Sequence, residues 1–311
     1  MARPLPFGAR STADKVLAGI DLTGKRIVVT GCNSGIGFET MSALGANGAH
    51  VVGLARSLQD AKAACAKAGP SCTPVGCDLA EPESVAASVD AIRALQGPLD
   101  AVIANAGIAN VPTLQTRNGV EMQFLVNHIG HFALVNGLLS LVRDGTGRIV
   151  IVSSRASINQ APPAGILFDN LDGRQFYDPG IFYGQSKLAN ALFAKELSRR
   201  LSGRGIAVNS LDPGATRGTG LHKNRSLASR IALAAAKVFM KSAQQGAATQ
   251  ALLAASPSVA GITGEFWSDC RIARGNPLLD DAELGGRLWH VSEEIVDRQS
   301  ASVAKVLRAA A

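Results

Sequence analysis

The stretch RIVVTGCNSGIGFETM, residues 26–41, decides the fold because it joins a short apolar run to a segment of helical composition through a glycine-rich loop. Glycines at positions 31, 35 and 37 leave room for the backbone to approach a phosphate group closely. They also direct the N-terminus of the following helix, with its partial positive charge and free N–H groups, toward that group. Glycine-rich turns also occur without a ligand, but the place of this one after the first strand favours a pyrophosphate site.

Short apolar runs like the first one recur along the chain, and segments of helical composition separate them. The runs are RIVVT at 26–30, HVVGLA at 50–55, PVGC at 74–77, DAVIAN at 100–105, RIVIVSS at 148–154 and IAVNSLD at 206–212. The helical segments are 36–47, 59–68, 82–96, 118–142 and 181–201. Because the runs do not alternate with polar residues, both faces of each strand should be buried under helices. The pattern predicts an α/β fold with a doubly wound, Rossmann-type parallel sheet.

The remaining segments are expected to extend this sheet rather than form a second domain. Ser11 is expected to cap a short opening helix over 12–20. After Asp212 the sequence predicts an acid-free helical region at about 221–255, a strand at 264–268 and a final helix from about 291. With 311 residues, 47% of them hydrophobic and 18% charged, the chain is large enough for one well-packed core. We therefore expect a single domain over residues 1–311.

Charge and cysteine content argue against several classes of protein. The net charge is +7, but aromatic residues make up only 5% of the chain, so a nucleic-acid partner is not expected. The five cysteines form no CxxC pair and no His/Cys spacing suited to a metal. Their pattern favours reduced thiols, a cytoplasmic location and no metal site. The sequence shows neither the apolar core of a signal peptide nor a long apolar stretch typical of a membrane span.

The residue after the second strand bears on the choice of cofactor. A dinucleotide site that prefers NAD has an acidic residue near this point to hold the ribose 2′-hydroxyl group. Here the strand ends in Ala55 and Arg56, and no acidic residue follows until Asp60. Because a guanidinium group pairs with a 2′-phosphate in a forked geometry, Arg56 favours NADP(H) over NAD(H).

Tyr183 and Lys187 lie four residues apart on a predicted helix and therefore share one face of it. A neighbouring ammonium group favours the phenolate, so the pair is expected to lower the pKa of Tyr183 toward the range of proton transfer at neutral pH. A helical tyrosine is more commonly a packed core residue. A catalytic role for this pair therefore depends on support from the motifs that accompany it.

These motifs follow one another in a recognisable order. They are TGCNSGIG at 30–37, NAG at 105–107, NHIG at 127–130, SS at 153–154, YGQSK at 183–187 and DPG at 212–214. With them the sequence resembles the short-chain dehydrogenase/reductases from about residue 24 to residue 214. VNHIGHFAL, YGQSKLANALFAKELSRRL and TGEFWSDC resemble the branch that contains the retinol dehydrogenases and the WW-domain oxidoreductase. The resemblance implies an oxidoreductase that acts on CH–OH groups, and Arg56 makes NADP(H) its expected cofactor.

The resemblance also assigns roles to residues in these motifs. Tyr183 would act as the general acid/base, and Lys187 would lower its pKa and contact the nicotinamide ribose. Ser154 would hold the substrate oxygen, and Asn127 would position a water relay behind Lys187. The expected catalytic residues are Asn127, Ser154, Tyr183 and Lys187. The expected cofactor-binding residues are Gly31, Asn33, Ser34, Gly35, Ile36, Gly37, Arg56, Asp78, Leu79, Asn105, Ala106, Gly107, Tyr183, Lys187, Pro213 and Gly214.

Residues 215–260 correspond to the substrate lid of this family and follow a cofactor-binding and catalytic core at 24–214. The apolar residues of the lid imply a hydrophobic alcohol or carbonyl substrate, of the retinoid, steroid, aromatic or long-chain kind. Its basic residues allow two interpretations, a helix with a solvated charged face or weak association with an anionic membrane surface. Where the family usually has a threonine five residues after the proline of the Pro-Gly turn, this chain has Gly218, with Thr216 and Thr219 on either side, so the sequence leaves open which threonine, if either, contacts the nicotinamide. The sequence also leaves open whether the chain forms a homo-oligomer. The apolar residues are Leu221, Leu227, Ile231, Leu233, Val238, Phe239 and Met240.

Other residues and other functions fit the sequence less well. His128 and His131 have no carboxylate or cysteine nearby and are expected to be structural or surface residues. Ser153 is interpreted as a sheet-packing hydroxyl, and Tyr177, with no lysine four residues on, as a loop or substrate-edge aromatic. A non-catalytic nucleotide-binding regulator on the same fold is the alternative function. A nucleotide-sugar epimerase or dehydratase is disfavoured because its glycine loop has a different spacing.

Overall fold

The fold is built on one eight-stranded sheet. The computed structural model describes residues 5–217 and 240–310, with side chains up to residue 301. The strands are β1 (Arg26–Thr30), β2 (His50–Ala55), β3 (Cys72–Gly76), β4 (Ala101–Ala104), β5 (Thr116–Arg117), β6 (Val120–Glu121), β7 (Arg148–Val152), β8 (Ala207–Asp212), β9 (Phe266–Ser268) and β10 (Arg271–Ile272). β5 and β6 form a small hairpin, and the others lie in the order β10-β9-β8-β7-β4-β1-β2-β3. Every pair in this sheet is parallel except β9 with β10, so the predicted parallel sheet is confirmed.

Helices connect successive strands and cover the sheet. They are α1 (Ala13–Leu17), α2 (Gly35–Ala46), α3 (Leu58–Ala68), α4 (Pro82–Ala94), α5 (Met122–Phe124), α6 (Gly130–Leu138), α7 (Ala156–Asn159), α8 (Pro179–Arg200), α9 (Ala243–Ala255) and α10 (Ala282–Ala310). Short 3-10 turns occupy Leu139–Leu141, Phe168–Asn170, Ser202–Arg204, Pro257–Val259 and Pro277–Asp280. The helices predicted at 36–47, 59–68, 82–96 and 181–201 correspond to α2, α3, α4 and α8, with ends that shift by one or two residues.

Both faces of the sheet are buried, as continuous apolar strands require. Ile27 and Val29 of β1 point to a core closed by α1, α2, α3 and α9. Val28, between them, points to the opposite core, which α4, α6, α8 and α10 close. Trp289 of α10 packs there against Phe132 and Phe193. The alternation along β1 is the doubly wound arrangement that the sequence predicts.

The single helix predicted over 118–142 is the main difference in secondary structure. Residues 116–121 form the β5–β6 hairpin, and the helical part begins at Met122. A π-helical turn, Leu125–Ile129, then joins α5 to α6. Immediately after it, a methyl group on Gly130 would overlap the backbone of Leu79, so the close approach of the two segments requires glycine. The stretch Met122–Leu141 is long and apolar enough to cross a membrane by length and composition alone, but most of it is buried in the protein.

The ends of the chain differ from expectation in smaller ways. Thr12, rather than Ser11, caps α1 by accepting a hydrogen bond from the backbone of Lys15, whereas the Ser11 hydroxyl accepts one from Gly8. The last helix begins at Ala282 instead of about 291. Of the helical region predicted at 221–255, the structure describes α9. Six of the predicted lid residues and Thr219 lie outside the described residues, namely Leu221, Leu227, Ile231, Leu233, Val238 and Phe239.

The cysteines also depart from the expectation of reduced thiols. Cys65, on α3, forms a disulfide with Cys72 at the start of β3, while Cys32, Cys77 and Cys270 are free and buried. The sequence did not reveal this pair, because the two cysteines come together only when α3 packs beside the edge strand. The cytoplasmic location stays a prediction.

The packing of α2 on the loop before it can be tested through two glycines of the same helix. A methyl group on Gly37 would overlap the Gly31 carbonyl oxygen and the Asn105 side chain, whereas one on Gly45 would have no heavy atom within 4 Å. Gly37→Ala should lower the free energy of unfolding by about 1–3 kcal/mol, as overpacking does. Gly45→Ala should raise it by about 0.5–1 kcal/mol, because alanine is the better helix former.

Urea unfolding of the two variants and the parent protein measures both effects. Equal stabilities for Gly37→Ala and Gly45→Ala would show that α2 does not depend on the close approach at Gly37.

Candidate active site

The candidate site is a cleft of about 1520 Å³ at the carboxyl edge of the sheet. In open α/β sheets this edge is where ligands bind. Every residue predicted from the sequence to bind cofactor lines this cleft. Ser154 lines it too, and Asn127 lies one layer behind, bonded to the backbone of Ile108. The structure therefore brings the motifs of the sequence together in one place.

The glycine loop forms one wall of the cleft. Gly31 and Gly35 have positive φ angles of 69° and 56°, which glycine adopts without strain. Ser34 precedes α2 but makes no side-chain capping bond, so the first N–H groups of α2 are left for another acceptor. Such a helix N-terminus is a ready site for a pyrophosphate. The loop thus fits the phosphates of a dinucleotide.

Asn105 and Ala106 of the NAG motif are fixed by hydrogen bonds to Thr30, the last residue of β1. The Thr30 hydroxyl accepts the backbone N–H groups of both residues at 2.9 Å. The Asn105 side chain donates to the Thr30 carbonyl at 2.8 Å. His131 Nε2 lies 2.9 Å from the same hydroxyl, closer than the Ile103 carbonyl oxygen at 3.5 Å. Thr30 therefore joins β1, the NAG motif and α6.

Asn127 is held from several sides within the π-helical turn. Its side-chain oxygen accepts the Ile108 N–H at 2.8 Å, and its amide nitrogen donates to the Ile108 carbonyl and the Ser186 hydroxyl, both at 2.9 Å. Its backbone carbonyl oxygen lies 2.9 Å from His131 Nδ1. Because both N–H groups of the side chain are used by these bonds, the side-chain amide has no donor left for a water, whereas the backbone carbonyl can accept a hydrogen bond from one, as the water relay implied by the resemblance requires.

Tyr183 and Lys187 lie on α8, as the helical spacing predicts, with the Lys187 ammonium 5.9 Å from the centre of the Tyr183 ring. The expected lowering of the Tyr183 pKa is wrong. Burial raises the pKa to about 12, a hydrogen bond with Ser154 opposes the rise, and the charge of Asp212 adds to it. Desolvation outweighs the nearby ammonium, so Tyr183 is a neutral phenol at pH 7.

Lys187 is the buried cation of the site, with 4% of its surface exposed. Its ammonium group donates to the Val152 carbonyl at 3.1 Å. Burial lowers the pKa of Lys187 to about 8, because removal from water disfavours the charged form. The ammonium also lies close to Gly107, where an added methyl group would be 3.3 Å from it. Lys187 thus lies between the end of β7 and Gly107 of the NAG motif.

One end of the cleft is formed by the segments that follow β2 and β3. Arg56 is exposed and forms no ion pair with any carboxylate of the described residues. Asp78 receives the Ala80 N–H at 3.0 Å, which turns the chain after β3, and Leu79 is buried beside it. A free guanidinium group at the end of β2 fits the 2′-phosphate of an NADP-type cofactor.

The turn after β8 closes the opposite end of the cleft. Asp212 Oδ1 accepts the backbone N–H groups of Arg155 and Gly214 at 3.0 and 3.2 Å. Lys241 donates to the Pro213 carbonyl at 3.2 Å, and its side chain packs against Gly214. Thr216, one of the two threonines left open by the sequence, lines the cleft and donates to the Gly214 carbonyl at 3.0 Å.

Three other residues considered from the sequence have structural contacts. Ser153 borders the cleft, and its hydroxyl donates to the Lys187 carbonyl at 2.7 Å and so ties β7 to α8, in agreement with a packing role. His128 is fully buried and pairs with Ser292 of α10 at 2.9 Å. Tyr177 donates to the Val111 carbonyl at 2.6 Å. Neither His128 nor Tyr177 lines the cleft.

Sequence reasoning missed the parts played by Thr30, His131 and Asp212. Thr30 and Asp212 fall within the motifs without receiving a role there, and His131 is expected only as a structural or surface residue. Asp212 could have been recognised from the sequence, since it is an acidic residue at the end of an apolar strand. The link between Thr30 and His131 joins residues 101 positions apart, and no local pattern reveals it.

Comparison with known proteins found relatives that match most of this chain. The family model described as short chain dehydrogenase matches residues 25–166. Human retinol dehydrogenase 14 is 36% identical over 294 residues, covering 88% of this chain and 86% of its own. Human WW domain-containing oxidoreductase is 35% identical over 308 residues, covering 95% and 74%.

A solved structure shows the same likeness. The short chain dehydrogenase from Burkholderia cenocepacia J2315 in complex with NADP has a TM-score of 0.62 and 26% identity, over 79% of this chain and 96% of its own. The fold, the arrangement of the motif residues and these relatives agree on a nicotinamide-dependent oxidoreductase. This chain belongs to the short-chain dehydrogenase/reductase family, in the branch that contains the retinol dehydrogenases and the WW-domain oxidoreductase.

Proposed function

We propose that the protein is an NADP(H)-dependent oxidoreductase that transfers a hydride between nicotinamide and a hydrophobic alcohol or carbonyl compound. The observation that carries the proposal is the meeting of Ser154, Tyr183 and Lys187 in one cleft with the glycine loop. A hydroxyl, a phenol and a buried ammonium group beside a dinucleotide site suit proton transfer to and from a substrate oxygen.

The protonation state of Tyr183 suits it to act as the acid when a carbonyl group is reduced. Tyr183 is protonated at neutral pH, so it can donate its proton to the substrate oxygen as the hydride arrives at carbon. Ser154 would hold that oxygen, and the Lys187 ammonium would stabilise the phenolate that forms. NADPH, when bound, supplies the hydride. Asp212 contributes to keeping the phenol protonated, because its negative charge raises the pKa of Tyr183.

The preference for NADP(H) rests on Arg56. Its guanidinium group stands at the end of β2, lines the cleft and has no carboxylate partner among residues 5–217 and 240–301. A 2′-phosphate would supply the missing anion, and the pairing of guanidinium with phosphate is favourable in both charge and shape. NADH, which has only a hydroxyl group there, would leave the guanidinium group solvated.

The proposed substrate is a hydrophobic molecule with a single reacting oxygen. Ile108, Met122, Val126 and Met240 supply apolar surface to the described wall of the cleft. A related protein is named retinol dehydrogenase 14, and a retinoid is one member of this substrate class. The retinoid, steroid, aromatic and long-chain compounds that we propose share an extended apolar body that such a wall can bury.

Replacement of the phenol tests the catalytic proposal. Tyr183→Phe keeps the ring and the packing of α8 but removes the proton donor, so carbonyl reduction should slow by about 10²–10⁴-fold. NADPH binding, measured by quenching of protein fluorescence, should stay within about twofold of the parent protein, because every expected dinucleotide contact except that of the Tyr183 hydroxyl is unchanged. Near-normal turnover by Tyr183→Phe would exclude Tyr183 as the acid.

Removal of the guanidinium group tests the cofactor preference. Arg56→Ala should lower kcat/KM for NADPH by about 10- to 100-fold, the worth of a charge-assisted pair, and change kcat/KM for NADH little. Arg93→Ala is the matched control, since Arg93 is exposed on α4 and pairs with Asp90 away from the cleft. An unchanged NADPH/NADH ratio in Arg56→Ala would contradict the assignment.

The pH dependence of reduction should report the charge of Lys187. With a pKa lowered to about 8, the ammonium is charged below that pH and neutral above it, while Tyr183 stays protonated throughout this range. We expect kcat for a substrate that does not itself titrate to be level below pH 8 and to fall as the pH rises through about 8. A rate that rises across this range would contradict the role given to Lys187.

A further inference from the structure

His131 is a fully buried side chain that the proposed chemistry does not use, although it lies directly behind the cleft. Its two ring nitrogens are both engaged. Nδ1 lies 2.9 Å from the carbonyl oxygen of Asn127, one helical turn earlier, and Nε2 lies 2.9 Å from the hydroxyl of Thr30. The ring thus connects the π-helical turn to the end of β1.

The direction of each hydrogen bond follows from the groups involved. A carbonyl oxygen can only accept, so Nδ1 carries the proton and donates to Asn127. Nε2 is then the acceptor, and the Thr30 hydroxyl donates to it. The lone pairs of that hydroxyl remain for the N–H groups of Asn105 and Ala106, which they accept at 2.9 Å. Burial lowers the pKa of His131 to about 4, so the ring stays neutral and this pattern holds at pH 7.

The two ends of this chain of hydrogen bonds lie at different parts of the site. Asn105 and Ala106 line the cleft on the cofactor side. Asn127 lies beside Lys187, since a methyl group on Gly107 would be 3.1 Å from the Asn127 side-chain oxygen and 3.3 Å from the Lys187 ammonium. Because the Asn127 side chain is already bonded to its neighbours, its carbonyl is the group that His131 orients.

We infer that His131 is a positioning residue that couples the NAG segment, through Thr30, to the backbone carbonyl of Asn127, a residue whose side chain lies beside Lys187. The Nε2 end holds Thr30, and Thr30 in turn holds the backbone of Asn105 and Ala106, which would contact the cofactor. The Nδ1 end fixes the direction of the Asn127 carbonyl, and its effect on turnover rests on the function proposed above. Loss of the Nε2 hydrogen bond should therefore weaken cofactor binding, and loss of the Nδ1 hydrogen bond should slow the chemical step.

Two substitutions separate the ends of the imidazole. His131→Asn retains a donor near the position of Nδ1 but does not reach Thr30. Asn47 and Asn136 already donate to the carbonyl four residues earlier, each at 2.8 Å, so an asparagine at this helical position can keep the bond to Asn127. His131→Gln places its amide near the position of Nε2, where it can pair with Thr30, and gives up the bond to Asn127.

His131→Asn should raise the Kd of NADPH by about three- to tenfold, the worth of one hydrogen bond, with kcat at saturating NADPH within about twofold of the parent protein. His131→Gln should keep the Kd of NADPH within about twofold and lower kcat by about three- to tenfold. Both constants are referred to the folded fraction, measured by circular dichroism.

His128→Gln is the matched control. His128 is an equally buried histidine one turn earlier in the same helical stretch, but it pairs with Ser292 and does not line the cleft. This variant should lose stability and keep both the Kd of NADPH and the kcat of its folded fraction. The opposite responses of His131→Asn and His131→Gln would support the coupling, because a merely structural role changes both variants in the manner of His128→Gln.

Two results would overturn the inference. One is that both His131 variants behave like His128→Gln, and the other is that both lose binding and turnover equally. If the parent protein binds NADPH but reduces no carbonyl compound, the proposed function fails, while the Kd of His131→Asn still tests the Thr30 end. If neither His131 variant folds, Thr30→Val removes the hydroxyl from the other side, and an unchanged Kd of NADPH would then overturn the inference.

Discussion

The hydrogen bonds that converge on Thr30 hold the candidate site together. Thr30 ends β1, and its carbonyl and hydroxyl groups receive the side chain and backbone of Asn105 and the backbone of Ala106. The same loop lies so close to Asn105 that a methyl group on Gly37 would overlap the Asn105 side chain, and one on Gly31 would be only 3.1 Å from it. The central strands, the glycine loop and the NAG segment are thus fixed to one another before any ligand contact is made. The positions of α2 and of the cleft follow from this arrangement.

Burial, more than the spacing of charges, sets the proton chemistry of the site. Tyr183 and Lys187 share a helical face as expected, yet both pKa shifts follow from removal from water, upward for the phenol and downward for the ammonium. Burial therefore disfavours the charged form of each residue. The result is a neutral phenol next to a cation that titrates near physiological pH. Such a pair is suited to giving a proton to a substrate oxygen and then stabilising the phenolate.

Sequence alone was a good guide wherever a local pattern carried the information. Apolar runs such as 50–55 predict buried parallel strands because both faces must be covered, and the motif residues lie where strand ends place them. Prediction from the sequence failed where contacts between residues far apart in the sequence determine the structure. The helix predicted at 118–142 begins only at Met122, after a hairpin, and contains a π-helical turn just before Gly130, which packs against Leu79. The Cys65–Cys72 bond and the link from Thr30 to His131 depend on packing between segments, which no spacing reveals.

The measurement that tests the central claim most directly is NADPH oxidation across a panel of hydrophobic ketones and aldehydes, with NADH assayed in parallel. The account predicts carbonyl-dependent oxidation of NADPH by several apolar compounds, with a lower kcat/KM when NADH replaces it. A protein that binds NADPH but oxidises neither cofactor with any member of the panel would contradict the account. That result would favour a nucleotide-binding regulator on the same fold.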